Sequence, residues 1–253
     1  MISDPMFYWA AVPAVLLVGL SKGGFGGSFA LLGTPLMALV IPPLQAAGIM
    51  LPILVAMDIV ALTAYRRRFD KRTIAILVPA GVIGVTIGWL TAAMITAAHV
   101  RLIVGTIGLW FTLDYLLKRK GERAPAEHNI AKGGFWGTVA GFTSFVSHAG
   151  GPPFQMYALP LKLEPVLFAG TSAIFFASVN AVKLVPYFAL GQFSTQNLTT
   201  SAVLLPLAPI GVMSGVWLVK RIPMKPFYRI VYSAVFLVSC KLIWDGISEL
   251  ALR

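Results

Sequence analysis

Charge is what this chain is short of. Aspartate, glutamate, lysine and arginine make up 11% of its 253 residues, less than half the share in soluble domains. With 58% hydrophobic residues and a mean hydropathy of +0.83, it cannot cover a water-facing surface, so the solvent of most of it is lipid. Acid is the scarcer sign: 9 acidic residues stand against 20 basic ones, a formal net charge of +11. In a soluble protein that excess points to nucleic acid. Here the basic residues sit in short loops between apolar runs, the pattern of membrane-orientation signals, and nucleic acid is not expected as a partner. One cysteine, Cys240, excludes an intrachain disulfide. Met1 to Met6 contain no lysine or arginine, so a secretory signal is not expected and the first apolar segment is read as structure.

What the chain has in quantity is long apolar segments. They run from Gln45 to Tyr65, Thr73 to Ile95, Leu102 to Leu117, Pro165 to Leu190, Leu198 to Val219 and Phe227 to Leu250. Most approach the ~20 residues that cross a bilayer core, and all six are read as spanning helices. Two further stretches, Phe7 to Leu20 and Phe29 to Ile41, are too short to span and flank Ser21-Lys22-Gly23-Gly24-Phe25-Gly26-Gly27-Ser28. The design returns where Phe135 to Phe145 and Phe154 to Leu161 flank Val146-Ser147-His148-Ala149-Gly150-Gly151-Pro152-Pro153. Glycine and proline clusters end helices. Irregular backbone at membrane depth is tolerated only inside protein or beside water. Both stretches read as broken hairpins that dip in and return; the alternative is two short full spans each.

The chain also repeats itself. Phe29 pairs with Phe154, Pro35 with Pro160, Pro43 with Pro165, Gly48 with Gly170, Asp58 with Asn180, Tyr65 with Tyr187, Gly84 and Gly88 with Gly211 and Gly215, and Arg101 with Arg229. No single match means much, but their order and nearly constant spacing do. Residues 1–118 form the first repeat, 119–132 a linker and 133–253 the second repeat. Basic residues fill the loop from Arg66 to Arg72, the linker from Lys118 to Lys132, and the loop from Lys220 to Arg229. The loop equivalent to the first, Gly191 to Asn197, carries no charge. The positive-inside rule puts the three basic loops and Lys162 in the cytoplasm, the bare loop outside, and only Arg101 and Arg253 among external bases. Equivalent loops then face opposite sides, so the repeats are inverted and both termini are external. The expected fold is an all-α, polytopic membrane bundle of two inverted repeats, each a broken hairpin followed by three spanning helices.

Inverted repeats with discontinuous helices are a transporter architecture whose site lies where the broken helices meet. The second half-helices are expected to start near Ser28 and Pro153, with free N–H groups and the positive dipole end favouring an anion. Gly24, Gly26, Gly27, Gly150 and Gly151 let backbone approach a ligand, or equally serve packing and turns. Lys22, Ser28, Ser147, His148 and Gln155 line the breaks. Asp58 and Asn180 hold matched positions on long spans, and Lys183 lies one turn beyond Asn180. A charge at membrane depth has a partner or a pathway role. Asp58 could equally be a structural salt bridge to Lys22 or Lys183, His148 a helix cap, and Asn180 interhelical glue. Lys241 and Asp114 lie near span ends, where they snorkel or pair.

The sequence Lys22-Gly-Gly-Phe-Gly-Gly-Ser28 followed by Thr34-Pro35-Leu36 has a second copy, Gly141-Phe-Thr-Ser144 through His148-Ala-Gly-Gly-Pro-Pro153 and Leu159-Pro160-Leu161. These motifs resemble those of the TauE/SafE sulfite-exporter family, and the resemblance covers nearly the whole chain. It implies transport of sulfite, thiosulfate or an organosulfonate such as sulfoacetate. The second break departs from the commoner glycine-rich form at His148 and Pro152-Pro153. The expectation is therefore a multi-pass inner-membrane transporter, not an enzyme, with a small anionic substrate and no cofactor or metal. A coupling proton on His148 and a homodimer are compatible with it. The rivals are a channel-like or cation carrier using Asp58, an intramembrane enzyme using Ser147 and His148, and a lysine Schiff-base photoreceptor.

Overall fold

The computed structural model describes residues 1–28, 30–91, 97–117 and 125–251. Phe29, Ile95, Lys118, Arg119, Lys120, Arg123, Arg253 and the side chains of Pro35 and Asp114 lie outside the described residues. All regular structure among the described residues is helical. In chain order the helices are α1 (Pro5–Gly24), α2 (Gly33–Met37, after a 3₁₀ turn at Ala30–Leu32), α3 (Pro43–Ala64), α4 (Lys71–Leu90), α5 (Ala97–Leu117), α6 (Ile130–Ser147), α7 (Gly151–Ala158), α8 (Pro165–Ala189), α9 (Thr195–Leu204), α10 (Leu207–Val219) and α11 (Met224–Ala251). By length and composition α1, α3, α4, α8 and α11 each qualify as membrane spans. The chain is thus a multi-pass helical membrane protein.

Two expectations need correction. The apolar run from Leu198 to Val219 is not one straight span: α9 and α10 meet at a 46° bend, broken at Leu205-Pro206. Pro206 supplies no N–H and cannot continue the ladder. The first arms of the hairpins are also longer than their apolar cores. Asp4 caps α1, its Oδ1 accepting from the Met6 N–H at 2.9 Å, and Asn129 caps α6, its Oδ1 accepting from the Lys132 N–H at 2.9 Å. From these caps the arms run for 20 and 18 residues, roughly 30 and 27 Å at helical rise. α1 continues through Ser21-Lys22-Gly23-Gly24 because that turn is buried against α10. A Cβ on Gly23 would meet Gly215 Cα at 3.0 Å, and one on Gly24 would meet the Gly215 carbonyl oxygen at 2.9 Å. Only the return arms are short, with α2 at five residues and α7 at eight. Neither return arm is long enough to span as a helix.

α1 packs along α10 and α6 along α4; α3 packs on α8 and α5 on α11. Loops sort to two ends of the bundle. At one end, the Asp70 N–H donates to Thr171 Oγ1 at 2.9 Å, His128 Nε2 lies 2.9 Å from Asp70 Oδ1, the Ala126 N–H donates to the Pro160 carbonyl at 2.9 Å, and the Tyr228 hydroxyl donates to the Leu163 carbonyl at 2.7 Å. These contacts gather the Arg66–Arg72 loop, the end of the linker, the Lys162 loop and the start of α11. At the other end the Ile2 N–H donates to Thr200 Oγ1 at 3.0 Å, beside the Gly191–Asn197 loop.

Candidate functional site

The inner helices are nearly free of ionisable charge. From Pro5 to Tyr65 the only charged side chains are Lys22 and Asp58, and from Leu184 to Val219 there are none. Lys22 ends α1, Asp58 sits on α3, and Asn180 and Lys183 face the same interior from α8. Their exposures of 6%, 3%, 3% and 0% place all four inside protein rather than against lipid.

These side chains form two linked clusters. Lys22 makes an ion pair with Asp58 Oδ1 and donates to the Leu54 carbonyl at 3.3 Å. The other carboxylate oxygen accepts from Asn180 Nδ2 at 2.6 Å. Lys183 Nζ donates to the Ser144 carbonyl and to Ser144 Oγ, both at 3.2 Å, and lies 3.3 Å from His148 Nδ1. An ammonium has three N–H donors and no acceptor, so Lys183 is fully used. His148 Nδ1 must then accept, which leaves Nε2–H to donate to the Tyr187 hydroxyl, 3.1 Å away. The imidazole is neutral in that arrangement. A second ring proton would point at the Lys183 ammonium, so the geometry gives no support to His148 as a proton carrier.

Between the clusters lies a narrow cavity of about 30 Å³, lined among others by Lys22, Gly27, Ser144, His148, Asn180 and Lys183. Lys22 has one N–H left over after Asp58 and Leu54. The two breaks touch here: a Cβ on Gly151 would come within 2.6 Å of the Gly27 carbonyl oxygen. Gly26 and Gly27 adopt φ of 61° and 77°, the left-handed region that a side chain resists.

The remaining predicted residues stand around this cavity. Asp58 lies behind Lys22 and Asn180. Gln155 ties the hairpins together, the two N–H groups of its Nε2 shared among the carbonyls of Phe25 at 3.1 Å and Gly26 at 3.0 Å and Ser28 Oγ at 2.6 Å. Ser28 Oγ in turn donates to the Phe25 carbonyl at 2.6 Å. Gly24 and Gly150 pack against α10 and α6, Gly150 with its Cβ position 2.7 Å from the Ala140 carbonyl oxygen. Ser147 turns away, donating to the Thr143 carbonyl at 3.3 Å; Ser144, one turn earlier, reaches the cavity instead. The expected pair of half-helix N-termini is not formed. The chain after Ser28 makes a 3₁₀ turn rather than an α-helix. Pro152 and Pro153 carry no N–H, leaving Gly150 and Gly151 as the donors of the second break. Sequence reasoning missed Ser144 and the role of Tyr187. The latter had a signal, since Tyr65 and Tyr187 are matched and Tyr65 also bonds a break, donating to the Gly23 carbonyl.

A multi-pass helical bundle with two interrupted hairpins meeting around a buried, net-cationic cavity is the build of a membrane transporter. A model of the family described as sulfite exporter TauE/SafE matches residues 11–242. The chain belongs to that family. Comparison with curated proteins and with solved structures returned no match.

Proposed function

We propose that the chain is a secondary transporter that moves a small sulfur oxyanion, sulfite foremost, through the cavity between its two hairpins. One observation carries this reading: two buried ammonium groups, Lys22 and Lys183, face a single buried carboxylate, Asp58. A net positive charge held away from water is stabilised by an anion and by little else. The small cavity favours a compact inorganic ion over sulfoacetate. Both oxygens of Asp58 are already engaged, which argues against a cation carrier. Ser147 and His148, adjacent in sequence, hydrogen-bond away from each other, which argues against a serine-nucleophile enzyme. The same reading has two inverted repeats, divided near residues 118 and 133, in the inner membrane with the basic end cytoplasmic and both termini external.

The test is sulfite binding by calorimetry on purified protein and counterflow of labelled sulfite in proteoliposomes. Lys183→Met removes the excess charge and should weaken binding by about tenfold or more, the equivalent of ~1.4 kcal/mol. Gel filtration checks folding. Unchanged affinity in a well-folded Lys183→Met would place the site elsewhere.

A further inference from the structure

The count of charges around the cavity says more than that its ligand is an anion. We infer that the site selects singly charged oxyanions, taking hydrogensulfite rather than the sulfite dianion and excluding thiosulfate and sulfate. This rests on the transport reading above and adds the charge state of the ion carried.

The argument is one of compensation. Among the described residues, the ionisable groups facing the cavity or bonded to its lining are Lys22, Asp58, His148, Lys183, Tyr65 and Tyr187. Lys22 and Asp58 cancel as an ion pair. Lys183 is held by three acceptors, Ser144 O, Ser144 Oγ and His148 Nδ1, matching the three N–H groups of an ammonium. His148 is neutral in the tautomer this forces, and both tyrosine hydroxyls are hydrogen-bonded as neutral groups. The interior therefore carries one uncancelled positive charge. One negative charge on the ligand brings it to zero. A dianion leaves a surplus negative charge where, among the described residues, the cavity lining offers no basic side chain besides Lys22, His148 and Lys183. An unpaired charge in a low-dielectric interior is strongly disfavoured. The donor inventory agrees. Lys22 has one N–H left and Lys183 has none, so the ligand meets few donors, too few for the many lone pairs of a dianion stripped of water. A protonated oxyanion also brings an O–H of its own, a donor that a dianion lacks.

The experiment separates charge from shape. Perchlorate and sulfate are tetrahedral oxyanions of similar size with one and two charges. Each is tested as an inhibitor of labelled-sulfite counterflow in proteoliposomes containing the full chain. Perchlorate should compete about tenfold or more better than sulfate. Asp58→Asn raises the interior to two uncancelled positive charges and should bring the ratio to one or below. The double variant Lys22→Met with Asp58→Asn removes the pair together and leaves the single positive charge of Lys183; it also removes the Lys22 donor, so overall affinity should fall, but the perchlorate-to-sulfate ratio should stay at its wild-type value even if Asp58→Asn alone fails to fold. Sulfate competing as well as perchlorate in the wild type, or a ratio that differs between the wild type and a folded double variant, overturns the inference while sulfite transport stands. Absence of sulfite counterflow in the reconstituted wild type overturns the transport reading itself.

Discussion

Asp58 has no spare acceptor: one oxygen takes the Lys22 ammonium, the other the Asn180 amide. In the proposed site its task is to hold Lys22 in place and to leave a single uncancelled positive charge, not to meet the substrate. Removing one partner of a buried ion pair costs about 3–5 kcal/mol, so Lys22→Ala should lower the melting temperature of the purified protein sharply as well as its anion affinity. Asn180→Asp asks for a subtler outcome. It sets a second carboxylate against Asp58 Oδ2, within the present 2.6 Å contact. Two carboxyls this close share a proton until the pH is high enough to ionise both; above that pH the interior becomes neutral and the folded protein should lose sulfite binding in calorimetry. Binding retained above that pH would mean that the charge balance does not govern the site. Asp70 lies outside the spans, at the basic end. Burial pushes its carboxyl up, but hydrogen bonds from the Thr73 side chain and backbone and from His128 outweigh burial and hold it below its ordinary 3.8. A depressed carboxylate contributes stability above its unfolded value that is lost as pH falls through the folded one. Asp70→Asn should therefore cost thermal stability near neutral pH and cost progressively less below pH 3.8. A stability difference that does not change with pH would assign Asp70 no such contribution.

At the level of helices, the interfaces are built on glycine. Gly19 and Gly23 on α1 meet Gly211 and Gly215 on α10, and Gly141 on α6 meets Gly81 on α4. Small residues let backbones approach where lipid gives no hydrophobic drive to associate. A Cβ on Gly215 would fall 2.9 Å from Gly23 Cα. Gly215→Leu should therefore part α1 from α10 and destabilise by about 1–3 kcal/mol; an unaltered melting curve in detergent would show that this contact tolerates separation. Gly215 was visible in the sequence as half of a matched small-residue pair, and the two breaks were visible as glycine and proline clusters. Asp58 and Asn180 were matched before any geometry placed them in contact. What was not legible is physical in origin. Hydropathy stops at a polar residue, while a helix stops where its hydrogen bonds do, so α1 runs through Lys22 and α6 begins at Ile130. Pro79 sits inside a continuous α4, whereas Pro206 stands at the break between α9 and α10; sequence alone cannot say which proline a bundle will accommodate. Ser147 and Ser144 differ only in which side of one helix they occupy.

For the molecule as a whole, orientation is the property to measure. The basic loops share one end, which the proposed orientation, read from the positive-inside rule, puts in the cytoplasm. With Cys240 replaced by serine, Gln196→Cys should react with an impermeant maleimide in intact cells, and Glu127→Cys only after lysis. The reverse pattern would invert the protein in the membrane; equal labelling of both would deny the sidedness altogether. The two charge clusters also carry a consequence for how the protein is made. The ribosome releases Lys22 first, and Asp58 follows 36 residues later. In the second cluster the order is reversed, since Ser144 and His148 are in place 39 and 35 residues before Lys183 emerges. Each lysine thus finds its partner within its own half, and neither half must wait for the other to hide a bare cation from lipid. The Asp58–Asn180 bond, across 122 residues, like the bonds from Gln155 to Phe25, Gly26 and Ser28, must await the later part of the chain, so the link between the two clusters closes only after each lysine has its partners.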